Sequence, residues 1–235
     1  MSDGTLDTLL VGIDAGCLPV FDRLAADDRI PNIEAICEGG VAAPLESQIP
    51  PWTPSAWPSM YTGVNPGQHG VYGFIDFDGY DWEVVSADHV QEHSLWSLLD
   101  RHGISSVVVN VPVTSPPEEI DGAIVPGFIG PEDPPCQPSG ILDDVRDAIG
   151  EYRVYPDYTR GCTDRSDAEK MAEYRRLVRM RGEAFRYLVD RFDPGFGFVE
   201  FQKTDTVFHE FDGDEEKVES VYETTDEQIG KILDA

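Results

Sequence analysis

Three runs of apolar residues without alternation mark the chain: residues 8–13 (TLLVGI), 105–111 (SSVVVNV) and 196–201 (FGFVEF). Such runs are the pattern of strands covered on both faces of a parallel sheet. Between them lie stretches with apolar residues at helical spacing, over 18–26, 31–37, 93–102, 139–149, 164–192 and 214–235. The longest carries Tyr174, Leu177, Val178, Phe185, Leu188 and Val189 as one stripe, which reads as core packing rather than a cofactor site. Helix-then-strand alternation of this kind predicts an α/β fold with a largely parallel central sheet flanked by helices.

The punctuation between elements is clear in most places. Pro31 opens one helix and Gly39-Gly40 follows it; Gly103 stops another; Asp193-Pro194-Gly195 breaks the longest. Residues 41–47 are expected to return as a strand that delivers the chain to Thr53. Residues 72–85 alternate around Asp78-Gly79 and predict a hairpin. The proline-rich stretch at about 112–138, with the short apolar piece 123–125 inside it, is expected as a loop-rich excursion over the surface, either part of a substrate lid or plain connection. No repeat, low-complexity segment or domain boundary appears, so residues 1–235 read as one α/β domain.

The most distinctive stretch is 49–72, IPPWTPSAWPSMYTGVNPGQHGVY. Pro54 suits the first position of a helix, which makes Thr53 its N-cap, with the helix running to Thr62 and ending at Gly63. A hydroxyl then lies beside free N–H groups at the positive end of the helix dipole, where a tetrahedral anion can settle. Asp14 follows the first predicted strand, and ligands of open α/β sheets collect at the carboxyl ends of strands. Directly after the third predicted strand, Asp205 and His209 are four residues apart, so on a helical turn they share one face and can bind one metal ion. A carboxylate oxygen with an imidazole nitrogen suits zinc, with manganese or iron as alternatives. Each piece alone has a structural explanation: Thr53 and Asp14 as helix caps, Asp205 and His209 as a surface pair. Three strand ends converging on polar groups point to chemistry.

Charge changes the picture of habitat more than of chemistry. The 235 residues hold 45 acidic and 17 basic side chains, a formal charge of −28. Such a surface repels nucleic acid and anionic membrane, and resembles proteins of a very salty cytoplasm, where screening suppresses self-repulsion. Only four residues are lysines: Lys170, Lys203, Lys217 and Lys231. The cysteines Cys17, Cys37, Cys136 and Cys162 lack metal-ligand or disulfide spacing and read as reduced thiols. The acidic N-terminus lacks a signal region, and no apolar run approaches the roughly 18 residues of a membrane span. The expectation is a cytoplasmic protein.

Taken together, VGIDAG, PPWTPSAWPSMYTGVNPGQHG, FGFVEF and TDTVFHEF resemble the alkaline phosphatase superfamily, specifically the type I phosphodiesterase/nucleotide pyrophosphatase family. Thr53, Thr62-Gly63, the loop from Pro66 to Gly70 and the pair Asp205/His209 match that family's motifs in order and spacing. The resemblance implies a phosphoester hydrolase with two divalent metal ions, usually zinc. Asp14 and Thr53 would belong to one ion, Asp205 and His209 to the other, with Thr53 as nucleophile. It also implies a small phosphoester or nucleotide as substrate. Two departures stand out. The family's D-H-G motif and later histidine are absent, so the chain resembles the N-terminal part of a longer enzyme whose sheet has more strands. Ala56 stands where nucleotide pyrophosphatases commonly carry an Asn, so diesterase specificity does not carry over; monoesterase, sulfatase and phosphomutase chemistry stay open, and the missing ligands leave open a non-catalytic relic or binding module of the same fold. Lys203 is read as solvated rather than as a phosphate contact. His69 is read as structural or as a secondary contact, and His89, His93 and His102 as inert. No G-x-x-x-x-G-K-[S/T] or G-x-G-x-x-G loop occurs.

Overall fold

The computed structural model describes residues 6–158 and 161–234. In chain order the elements are β1 (Thr8–Ile13), α1 (Leu18–Ala26), α2 (Pro31–Gly39), α3 (Thr53–Thr62), α4 (Pro66–His69), β2 (Ile75–Asp78) and β3 (Asp81–Val84). They continue with α5 (Leu95–Asp100), β4 (Ser106–Val109), β5 (Gly122–Val125), α6 (Ile141–Ile149), α7 (Asp167–Phe192), β6 (Phe196–Phe201), α8 (Lys203–Glu210) and α9 (Glu215–Leu233). A single 3₁₀ turn, Ala87–His89, precedes α5.

The three apolar runs form three adjacent strands of one parallel sheet with order β1-β6-β4-β5, in which β6 and β4 are central and β1, expected to be covered on both faces, is a partly exposed edge. Thr8 pairs with Phe196, Ser106 with Phe196 and Ser106 with Gly122, so the carboxyl ends of all four strands lie on one side. Side chains on β6 alternate between two cores, as the two-residue period of a strand requires. Phe196 and Phe198 join Trp57 and Trp96 from α3 and α5. Val199 and Phe201 face the larger core, with Phe185 and Leu188 of α7 and Tyr222 of α9. Leu177 and Val178 of the α7 stripe are also buried there. The expected α/β architecture with a flanked, largely parallel sheet is therefore present, and β2–β3 pair as the expected antiparallel hairpin.

Several boundaries differ from expectation. Residues 41–47 are not a strand: they carry no regular structure, and Val41 and Leu45 are exposed. Pro44 sits in the middle of that run and removes a ladder donor, which disfavours pairing. The stretch 112–138 is not only an excursion, because Gly122–Val125 is a fully buried strand at one edge of the sheet. Its apolar piece is too short to announce itself; β4 supplies the register. Helix α5 is confined to Leu95–Asp100, opened by Ser94, whose Oγ accepts from Ser97 N at 3.1 Å. Helix α7 starts at Asp167 because Ser166 and Glu169 form a reciprocal capping box. All four cysteines are free thiols. Ala235 lies outside the described residues, as do residues 1–5.

Candidate active site

Asp14 extends β1 by one residue and its N–H donates to Phe201 O at 3.2 Å, which fixes it at the carboxyl edge of the sheet. Its Oδ1 accepts from Ala15 N at 3.1 Å, and its Oδ2 accepts from Thr53 Oγ1 at 3.5 Å, a long hydrogen bond. Thr53 is not the N-cap of α3 as expected. Trp52 holds that position, with its carbonyl accepting from Ser55 N at 3.0 Å and Ala56 N at 2.8 Å. Thr53 and Pro54 occupy the first two helical positions, where an N–H is without an intrahelical partner in any case. Helix α3 ends where expected, at Gly63 in the left-handed region.

The height of α3 above the sheet is set by Trp57. A Cβ built on Gly12 would lie 2.4 Å from the Trp57 ring, so only glycine lets the indole lie against β1. On the next turn, Ser59 Oγ meets His69 Nε2 at 2.9 Å, while His69 Nδ1 accepts from Val71 N at 3.2 Å. His69 is fully buried and structural, and burial holds its pKa below the ordinary 6.5. His89 caps the turn at Ser86 rather than facing the site.

Helix α8 begins immediately after β6 and presents Asp205 and His209 on one face, as the four-residue spacing requires. His209 Nε2 is 3.4 Å from Asp205 Oδ1. The start of α8 is tied to β1: Thr204 Oγ1 lies 2.6 Å from Asp14 O and 2.8 Å from Phe201 O. Gln202 Oε1 accepts from Lys203 Nζ at 2.6 Å and from Thr206 Oγ1 at 2.9 Å. The solvated reading of Lys203 is corrected by its burial, with 6% of its surface exposed; it follows β6 directly and lies between the sheet and α7.

The electrostatics centre on three buried groups. Burial, followed by the neighbouring Asp205 charge, pushes the Asp14 carboxyl up to about 7. Burial, followed by repulsion from Arg181, lowers Lys203 to about 7. Glu200, on β6 beneath them, is raised by burial first and by Asp14 second, while its Oε2 accepts from Asn110 Nδ2 at 2.6 Å.

Thr53, Gln202, Lys203, Asp205, Thr206 and His209 line one side of a cleft of about 430 Å³. The other side is aromatic, built from Phe74, Phe128, Tyr155, Tyr158 and Tyr174. Phe128 packs edge-on against both Phe74 and Tyr155, with centroids 6.4 and 6.2 Å away. Sequence reasoning missed this wall. Its residues come from four separate stretches, and Tyr174, in the α7 stripe, reads from the sequence as core packing.

The structure thus brings Asp14 to Thr53 and Asp205 to His209, with Thr53, Asp205 and His209 on the same cleft. The donor types suit divalent ions, and the Asp205 charge acting on Asp14 marks a place that favours a cation. Each pair supplies two donors where zinc takes four. Among the described residues, no group of three or more His, Cys, Asp or Glu side chains is gathered to hold a metal ion. The pairs fit as halves of metal sites.

The sequence profile described as type I phosphodiesterase / nucleotide pyrophosphatase matches residues 8–235. No curated protein matches the chain. Among solved structures, phosphonoacetate hydrolase from Sinorhizobium meliloti 1021 in complex with phosphonoacetate is 18% identical, with a TM-score of 0.62. That alignment covers 97% of this chain and 53% of the other. Murine ectonucleotide pyrophosphatase / phosphodiesterase 5, in an inactive form in complex with AMP, is 14% identical with a TM-score of 0.57, covering 98% of this chain and 52% of the other. The chain therefore spans about half the length of the solved structures it matches.

Proposed function

The chain belongs to the type I phosphodiesterase / nucleotide pyrophosphatase family, and we propose that it carries the nucleophile half of a metal-dependent phosphoester hydrolase, with Thr53 as the attacking group. One observation carries this reading: the Thr53 hydroxyl, at the first turn of α3, is hydrogen-bonded to Asp14 and shares a cleft with Asp205 and His209. Two divalent ions, zinc or manganese, would be held by Asp14 with Thr53 and by Asp205 with His209. Their chemistry there is Lewis-acid stabilisation of phosphoryl charge and a lowered pKa for a coordinated hydroxyl.

The chain's own residues orient the reaction. Asp14 holds the Thr53 hydroxyl by accepting its hydrogen bond, which aims an oxygen lone pair into the cleft. Attack forms the Thr53 Oγ1–P bond and breaks the P–O bond to the leaving alcohol, which departs with the electron pair and takes up a proton. Water then cleaves the Oγ1–P bond, releasing the phosphate product and restoring the threonine hydroxyl. Backbone N–H groups of the first turn of α3 add positive charge where the phosphoryl oxygens gather. The aromatic wall suits a planar group on the substrate, so a nucleotide or aryl phosphodiester is the favoured substrate class. The two relatives solved with phosphonoacetate and AMP support a small phosphorus-containing anion.

The test is hydrolysis of bis(p-nitrophenyl) phosphate with added zinc or manganese. Thr53→Ala is expected to lower kcat by about a thousandfold or more, and Thr53→Ser to retain part of the rate. Equal rates in the wild type and Thr53→Ala would remove Thr53 as nucleophile. A second reading, a phosphate-binding module without turnover, is motivated by the two-donor pairs. It would be favoured by phosphate binding without hydrolysis.

A further inference from the structure

Lys203 carries an unusual burden for a lysine. It is 94% buried, the complement of its 6% exposure, yet its side chain reaches the wall of the cleft that holds Thr53 and Asp205. Its one hydrogen bond among the described residues goes to Gln202 Oε1, a neutral amide, at 2.6 Å. Among those residues it forms no ion pair, although the carboxylates of Asp14, Glu200, Asp205 and Glu173 act on it through space. Glu200 Oε2 accepts from Asn110 while its Oε1 has no hydrogen-bond partner among the described residues, and Glu173 pairs with Arg153 at 2.8 Å. A second cation, Arg181, lies behind Lys203 with its own donors spent on the carbonyls of Arg153 and Val154 at 2.6 and 2.9 Å. Arg181 repels Lys203 and raises the positive potential on its cleft side.

A buried ammonium with one neutral partner is costly, and an anion beside it or replacement with an apolar side chain relieves that cost. Two of its three N–H donors have no partner among the described residues, and the side chain lines the cleft. We propose that Lys203 is a substrate-binding residue: its ammonium takes a non-bridging oxygen of a phosphoryl group seated beside Thr53. The α3 first turn, through Thr53, and Lys203 line the same side of the cleft, so together they select a compact, multiply charged oxyanion. The naming of the anion rests on the phosphoester reading above; the vacancy at Lys203 Nζ does not.

The experiment is calorimetric titration of the full chain with inorganic phosphate in the presence of chelator, alongside thermal melting. Lys203→Met is expected to weaken phosphate binding by about tenfold or more, and Lys203→Arg to keep it within a few-fold. Lys203→Met is also expected to melt at or above the wild-type temperature, because it deletes an unpaired buried charge of similar shape. A residue with only a structural role would show the opposite pair of results. Phosphate binding unchanged in Lys203→Met, or absent from the wild type, overturns the proposal. Lys203→Gln, judged by the same binding criterion, covers a methionine variant that does not fold. Lys203-dependent phosphate binding without any phosphodiester turnover would sink the hydrolase reading and leave this one standing. Turnover with phosphate binding indifferent to Lys203 would do the reverse.

Discussion

His69 shows how a single buried residue fixes the geometry of α3, the helix that begins at Thr53. Its imidazole accepts from Val71 N at one nitrogen and meets Ser59 Oγ at the other, so its neutral form fits two partners at once. Burial lowers its pKa below 6.5, and the unfolded chain therefore binds the proton more readily than the folded one. By linkage, its contribution is fully present above pH 6.5 and is lost as pH falls from there through the folded-state value. Melting temperature measured across that window should decline on acidification, and His69→Gln should flatten the decline while lowering stability at neutral pH. An equal slope in both proteins would exclude His69 as its source. The P-x-x-H-G loop marks this histidine as structural or a secondary contact; of its partners, Val71 is local, while Ser59 comes from α3 and could be known only once that helix had been placed. Lys203 is the counter-case. Its polarity suggested solvent, whereas position decided otherwise, because the residue follows a central strand and is covered by α7.

At the scale of elements, the two halves of the site are carried by a helix laid on the sheet and a helix that continues a strand. The second kind was the easier to read, since β6 is an apolar run interrupted only by Glu200 and α8 keeps Asp205 and His209 in phase by spacing alone. The first depends on a contact that sequence does not display, the indole of Trp57 lying where Gly12 has no side chain. Gly12→Ala should displace α3 and stretch the hydrogen bond of Thr53 to Asp14, already 3.5 Å long. The expected cost is about 1–3 kcal/mol of stability, read by denaturant unfolding, with a larger relative loss of phosphodiester turnover. Wild-type stability and turnover in Gly12→Ala would show that the ring moves aside freely. The failed strand at 41–47 and the unnoticed strand β5 share one cause. Short segments take their structure from whichever edge is available, and Pro44 disqualified the first while β4 recruited the second.

On the scale of the whole molecule, a parallel sheet with every strand pointing the same way collects Asp14, Asn110 and Gln202 at one edge, and the cleft opens beside that edge. Of the strand ends expected to converge from the sequence, those before Asp14 and before Asp205/His209 are strands, whereas the stretch before Thr53 is not. The aromatic wall was not legible, because Phe74, Phe128 and Tyr155 meet only after the hairpin and the proline-rich stretch have folded back. The charge of −28 accompanies this architecture without explaining it. The family profile runs through residue 235, and the solved structures it resembles are about twice as long, so the four-stranded sheet corresponds to about half of such a molecule. The central claim concerns one oxygen atom within it, Thr53 Oγ1. Acid quenching during turnover of bis(p-nitrophenyl) phosphate, followed by peptide mass mapping, tests that claim most directly. The account expects a nitrophenyl-phosphoryl adduct on Thr53 that disappears in Thr53→Ala together with turnover. Turnover with an adduct on another residue, or turnover surviving in Thr53→Ala, would contradict it.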